Sequence, residues 1–227
     1  MKNVGLLIIA TNKYEIFVKP LIESARKFFL RNQKLTFYIF SNSDNLKNLG
    51  DDVIVIHQEH KPWPYMTLFR YRIFVENMEY FSNEDYLFYC DADMLFVNHV
   101  GDEVLGDLVA TIHPGFRGGR GTPEDRIEST AFVSNDEEMV YYAGGFNGGT
   151  KENFLTMSKS ISKNIDKDLE KDIIAIWHDE SHMNRYMIDN KPTLVLSPSY
   201  CYPENWDLPE YEKKLLALYK SHGDIRY

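Results

Sequence analysis

The sequence predicts an α/β domain built around a mainly parallel sheet, and two observations carry the prediction. Apolar runs of strand length alternate with stretches whose apolar residues recur at helical spacing, the pattern of successive strand-helix-strand units. The run Tyr86-Leu87-Phe88-Tyr89-Cys90 then drives straight into Asp91-Ala92-Asp93, as a buried strand does where it reaches a polar rim. With 227 residues, 44% of them hydrophobic and 14% aromatic, the chain suffices for one large domain or two closely packed lobes.

The elements follow in order. Residues 4–10 form a continuous apolar run, expected of a strand buried on both faces, and Thr11-Asn12-Lys13 breaks it. Over 15–30, Phe17, Leu21, Ala25 and Phe28 return at helical intervals, and 35–40 is again strand-like. A polar connection leads to a short strand at 53–57 and a helix over 66–78 with Leu68, Tyr71, Val75 and Met78 on one face. Beyond the strand at 86–90, residues 108–112 read as strand and 114–123 as a Gly-rich mobile lid or surface loop. Residues 129–133 and 140–142 look like strands. Gly144-Gly145 and Gly148-Gly149 mark either close approach of a ligand or backbone, or ordinary bulges and turns. Phe154, Ser158, Ile161 and Ile165 mark a helix, 179–188 another, and 193–196 a strand; from 210 onward the chain is polar and expected to be loose.

Composition narrows the function. A net charge of −9 and a pI of about 5.3 exclude a surface that coats nucleic acid, which needs a basic stripe. Cys90 and Cys201 are no disulfide framework and fit a cytosolic setting. The N-terminal apolar run is short and lacks a small-residue cleavage site, and none approaches the roughly twenty residues that span a bilayer. A soluble, cytoplasmic protein is expected.

Three constellations carry chemistry. In an extended chain, side chains at i and i+2 leave the same face, so Asp91 and Asp93 converge. They form either a turn or a site for a hard divalent cation. His178 and His182 are spaced as zinc ligands on a helix, although Glu180 stands where a zinc protease does not keep its base. Asp179, Glu180 and Ser181 equally suit a helix N-terminus. Arg70, on the helix approached through Pro62-Trp63-Pro64, is placed either to grip a phosphate or carboxylate or to face solvent. Tyr14, just past the first strand, is suited to stacking on a base.

In order along the chain, Tyr14, Trp63, Arg70, Asp91-Ala92-Asp93, His113-Pro114-Gly115-Phe116, Tyr141-Tyr142-Ala143-Gly144-Gly145, Trp177-His178-Asp179-Glu180-Ser181 and Leu196-Ser197-Pro198-Ser199-Tyr200 resemble the retaining glycosyltransferases that include the blood-group A and B transferases and the α-1,3-galactosyltransferases. The likeness covers nearly the whole chain and is nearest to the short microbial members. It implies a GT-A fold with a Rossmann-like nucleotide-sugar half (1–100), an acceptor-binding and catalytic half (101–210) and a mobile tail (211–227). By position it implies that Ile9, Ala10 and Tyr14 hold uridine, that Asp91 and Asp93 bind Mn2+, or Mg2+ in its place, and that Trp63, Arg70, Ala143, Gly144, Gly145 and Asp179 frame the donor, with Arg70 near its sugar. His113, Thr122 and Trp177 would line the acceptor, with Glu180 facing the anomeric carbon as the catalytic group.

The implied reaction moves GalNAc, in preference to galactose, from its UDP donor in α-1,3 linkage to a galactose-terminated, fucosylated glycan. The preference follows from the room that Gly145 leaves for a 2-acetamido group. Retention proceeds either through a covalent Glu180 adduct or by front-side attack. Two departures stand out: Tyr202-Pro203-Glu204 replaces a stretch in which mammalian members carry an acceptor-contacting Asp, with Glu204 as the substitute, and their membrane anchor has no counterpart. A basic tail with Lys214, Lys220, His222 and Arg226 is expected to close over a diphosphate. The rival readings are a sugar-binding module without turnover and a zinc hydrolase.

Overall fold

The computed structural model describes residues 1–221 and 223. Its strands are β1 (Asn3–Ile9), β2 (Lys34–Ser41), β3 (Val53–His57), β4 (Tyr86–Cys90), β5 (Met94–Phe96), β6 (Leu108–Ile112), β7 (Tyr142–Thr150), β8 (Leu194–Leu196), β9 (Tyr202–Pro203) and β10 (Leu215–Ala217). The helices are α1 (Glu15–Phe28), α2 (Tyr65–Leu68), α3 (Arg70–Glu76), α4 (Lys151–Leu169) and α5 (Asp179–Asp189).

A seven-stranded sheet runs in the order β3-β2-β1-β4-β7-β6-β8, and β5-β10-β9 form a small second sheet. Strands β1 to β4 are parallel, β7 is antiparallel to both its neighbours, and β6 pairs parallel with β8. The expected α/β architecture is thus present, with one reversed strand inside it, and it agrees with the GT-A expectation. Central strands explain their own sequences: β1 is flanked by β2 and β4, so both faces need apolar side chains. Val4, Leu6 and Ile8 pack with Val18, Leu21 and Ile22 of α1 on one face. Leu7 packs on the other with Tyr71 and Phe74 of α3 and Phe154 and Met157 of α4.

Several expectations fail for identifiable reasons. The helix over 66–78 is two helices, with a break in regular geometry at Phe69 (φ −92°, ψ 10°) that lets Arg70 start α3. Residues 129–133 are turns with an isolated bridge at Phe132, not a strand. Of the two readings of the glycine pairs, close backbone approach is the one found, since they lie within β7 and not in turns. A Cβ at Gly148 would stand 2.3 Å from the Phe88 ring and 2.6 Å from the Leu87 carbonyl, so only glycine lets β4 come this close. The Gly-rich segment is a surface loop, one of its two expected forms, and Arg120 anchors it by donating to the carbonyls of Ser134 (2.6 Å) and Glu137 (2.5 Å).

The tail expected to be loose carries β10, which pairs with Met94–Phe96 and places Leu215, fully buried, in the core beside Phe96. His222 and Arg226 lie outside the described residues. Among the described residues no helix is long and apolar enough to cross a membrane.

Because Leu215 is a core residue, Leu215→Ala should destabilise the protein by about 2–5 kcal/mol in urea unfolding. A loss under about 0.5 kcal/mol would mean that β10 contributes no more than a surface segment.

Candidate functional site

A cleft of about 270 Å³ opens at the carboxyl edge of the parallel strands, the edge at which open α/β sheets place their ligands. Ile9 ends β1, Asp91 follows β4, and His60 and Lys61 follow β3. From the other side come the β7 backbone at Gly144 and Gly145 and the start of α5 at Asp179 and Glu180. Tyr14, Trp63, Arg70, Asp93 and Trp177 also line it, so most of the sequence-predicted site residues meet there.

Arg70 is the hub. Its guanidinium, 6% exposed, donates to the Gly144 carbonyl at 2.7 Å and pairs with Asp91 at 3.3 Å and Asp179 at 3.2 Å. It also stacks over the Tyr89 ring, 4.1 Å from the centroid. Of the three roles open to it in the sequence, facing solvent is excluded by its burial, and steadying carboxylates is present. Asp91 also accepts from the Tyr89 hydroxyl, and its backbone N–H donates to the Gly145 carbonyl at 2.9 Å.

The two acidic residues that open α5 differ sharply. Asp179 is 1% exposed; burial pushes its carboxyl up to about 7, against the pull of Arg70 and helped by the nearby charges of Glu180 and Asp91. Arg70 is itself raised by Asp179 despite burial, so the guanidinium stays charged and the proton balance of the pair is set on the carboxylate. Neither Asp179 oxygen makes a well-directed hydrogen bond. Charge alone holds the pair. Glu180 is better satisfied: Gly144 N–H donates to its Oε2 at 2.7 Å and the Tyr141 hydroxyl to its Oε1 at 3.0 Å. Burial raises its pKa, and those two donors and Arg70 oppose the rise.

Five sequence-predicted residues stand outside the cleft lining. Ala10 is buried, with its N–H and C=O committed to Phe40 and Ser41, and Ala143 packs in the core beside Phe146. His113 stacks on Phe116 and meets the edge of Tyr141, the residue that holds Glu180. Thr122 accepts the Trp177 indole N–H at 2.7 Å. Glu204 accepts the Tyr219 N–H at 2.8 Å.

The zinc spacing does not become a zinc site. His178 precedes α5 with φ 53° and packs edge-on to Trp63, whereas His182 is buried inside α5, 3.7 Å from Asp168 of α4. The two histidines therefore do not share a helical face. Among the described residues no group of three or more His, Cys, Asp or Glu side chains is placed to hold a metal ion.

Sequence reasoning overlooked His60, Lys61 and Tyr89, and gave Thr11 and Tyr141 no role of their own. Thr11 and His60 hydrogen bond at 2.9 Å, joining the ends of β1 and β3. A signal existed for His60 and Lys61, since they follow β3 on the same sheet edge as Asp91. Lys220, placed on the tail by its charge, pairs with Asp93.

Comparison with known proteins gives one consistent answer. A family model described as glycosyltransferase family 6 matches residues 1–226. The chain is 35% identical to rat histo-blood group ABO system transferase 1, over 99% of this chain and 68% of that protein. It is 34% identical to human globoside alpha-1,3-N-acetylgalactosaminyltransferase 1, over 91% of this chain and 63% of that protein. With the Escherichia coli O-antigen biosynthesis glycosyltransferase WbnI it shares 30% identity over 89% of each.

The Asp179 carboxyl rises from its ordinary value of 3.8 to about 7 on folding, so the native state binds more protons between those pH values. Its contribution to stability therefore falls as pH rises from about 4 to about 7. Asp179→Asn should make the slope of unfolding free energy against pH more positive in that window, measured by urea titrations at a series of pH values. An unchanged slope would show that Asp179 does not titrate there.

Proposed function

The chain belongs to glycosyltransferase family 6, and from that premise we propose that it is a retaining enzyme. It moves GalNAc, or less readily galactose, from UDP in α-1,3 linkage to the terminal galactose of a fucosylated glycan. The observation that carries this reading is the Glu180 carboxylate, clamped by a backbone N–H and a tyrosine hydroxyl on the wall that faces Asp91 and Asp93.

The donor lies with its uridine between Ile9, Tyr14 and Trp63 and its diphosphate towards Asp91 and Asp93. These two carboxylates fit Mn2+ or Mg2+: both are hard oxygen ligands on one cleft, and a positive group, the Lys220 ammonium, already rests on Asp93. Asp91 and Asp93 would hold such a cation, which would supply Lewis-acid neutralisation of charge on the leaving diphosphate. Arg70 keeps Asp91 and Asp179 in place. As the C1–O bond of the sugar breaks, positive charge grows at C1 and the buried Glu180 carboxylate stabilises it. Retention follows by one of two routes: the acceptor hydroxyl attacks on the face the diphosphate leaves, its proton passing to the departing phosphate oxygen, or Glu180 forms a covalent adduct that the acceptor then displaces, freeing the carboxylate.

Gly144 and Gly145 present only backbone to the donor sugar. A Cβ at Gly145 would stand 3.1 Å from Asp91 Oδ2, and one at Gly144 3.1 Å from Glu180 Oε2. Side chains there would displace both carboxylates and fill the space that a 2-acetamido group needs. The named N-acetylgalactosaminyltransferase relative supports the same donor. His113, Thr122 and Trp177 form the acceptor side, where the Trp177 ring offers an apolar face to galactose.

Transfer from labelled UDP-GalNAc to a fucosylated galactoside should be abolished by a chelator, restored by Mn2+, and exceed transfer from UDP-galactose in kcat/KM. Binding of donor without any transfer would favour a sugar-binding module instead, and a galactose preference would overturn the donor assignment. In the same assay Glu180→Gln should cut transfer about a hundredfold or more while calorimetry finds UDP binding retained. Near-normal turnover would remove Glu180 from catalysis.

A further inference from the structure

Tyr141 stands directly before β7, is 1% exposed, and donates its hydroxyl to Glu180 Oε1 at 3.0 Å. Its ring is gripped by the loop that comes before it in the chain. The 113–121 segment folds back over the ring, closed by Tyr141 N–H donating to the Gly119 carbonyl at 3.1 Å and His113 N–H to the Tyr141 carbonyl at 3.0 Å. Phe116 meets the ring in a T-shape at 5.0 Å between centroids, and His113 does so at 5.8 Å. Gly121 lies closest of all: a Cβ there would stand 2.5 Å from Cγ and 2.6 Å from Cδ2 of Tyr141. Its φ of 64° falls in the left-handed region as well, so two separate constraints call for glycine at this position.

These contacts form a lever. A phenol ring is rigid and turns about two torsions, so backbone pressed on its Cγ fixes where its hydroxyl lies. The loop does not readily back away, because Arg120, the neighbour of Gly121, is bonded to the carbonyls of Ser134 and Glu137. At the far end of the lever, Glu180 Oε2 takes the Gly144 N–H at 2.7 Å while Oε1 takes the Tyr141 hydroxyl. Two bonds to two oxygens fix the plane of the carboxylate, whereas one alone leaves a hinge. Gly121 and Tyr141 do not line the cleft, yet the ring carries the position of the loop to the carboxylate that does.

We propose that Gly121 and Tyr141 act as one positioning unit for Glu180: the bare backbone of Gly121 seats the ring whose hydroxyl turns the carboxylate toward the anomeric carbon. This rests on the role of Glu180 proposed above. Both residues act on the reaction only through that carboxylate.

The test measures UDP release by the full chain from the faster of UDP-GalNAc and UDP-galactose, with a fucosylated galactoside and in water alone. Tyr141→Phe and Gly121→Ala should each lower kcat about tenfold and leave KM for the donor unchanged. The double variant should fall no more than about twofold below Tyr141→Phe, since the seat of the ring no longer matters once the hydroxyl is gone. Should Gly121→Ala fold poorly, Phe116→Leu, which removes another ring pressed on Tyr141, carries the same expectation. Losses that multiply to about a hundredfold would mean two separate structural effects, and a kcat within about twofold of wild type for Tyr141→Phe would mean that the hydroxyl orients nothing; either overturns the unit. If wild type releases no UDP from either donor, or Glu180→Gln turns over almost normally, the role of Glu180 fails and the unit falls with it. Where Glu180→Gln is severely impaired and the two other variants are not, the positioning unit alone fails.

Discussion

The buried guanidinium of Arg70 joins three elements at one point: the carbonyl of Gly144 in β7, Asp91 at the end of β4 and Asp179 at the start of α5. A planar fork of donors does this better than an ammonium, because each N–H already points along a different direction. Shielded from water, the attractions are strong, and so is the desolvation that opposes them. The balance leaves Asp179 with a carboxyl raised to about 7, a group held by position rather than by comfort. Removing one partner from such a cluster typically destabilises by about 3–5 kcal/mol, since the charge left behind stays buried. The same cluster sets the geometry of the cleft before any substrate arrives, which is what electrostatic preorganisation requires.

Around that hub the fold supplies two kinds of wall. One is the carboxyl edge of parallel strands, where β1, β3 and β4 end in polar residues because the sheet stops and solvent begins. The other is β7, reversed in direction and so rich in glycine that backbone, not side chain, faces the ligand. Glu180 sits where the two meet, taking one hydrogen bond from that backbone and one from Tyr141. The 113–122 loop then meets the indoles of Trp177 and Trp206, at Thr122 and Gly115 respectively.

How much of this was legible depended on whether a signal was local. Strands β1, β4 and β6 could be read because burial on both faces demands unbroken apolar runs, and their bounds match closely. Strand β7 could not, since Gly144, Gly145, Gly148 and Gly149 erase the alternation that marks a strand; they are there because neighbouring backbones and carboxylates approach too closely for a Cβ. Strand β10 was hidden among charges because Leu215 is its only fully buried residue. The histidine spacing misled for a conformational reason: His178 has a positive φ, so the helix begins one residue after it.

By itself the sequence determined the α/β alternation, the strand that ends in Asp91-Ala92-Asp93 and the acidic start of α5, because each is written in the spacing of neighbouring residues. Tertiary structure alone decided what those residues do for one another. Arg70 meets Asp179, Tyr141 meets Glu180, Trp177 meets Thr122 and Lys220 meets Asp93 only because α3, β7, α5 and the C-terminal segment converge on one sheet edge. No local pattern encodes such a meeting; it is fixed by the direction in which packed elements aim their side chains.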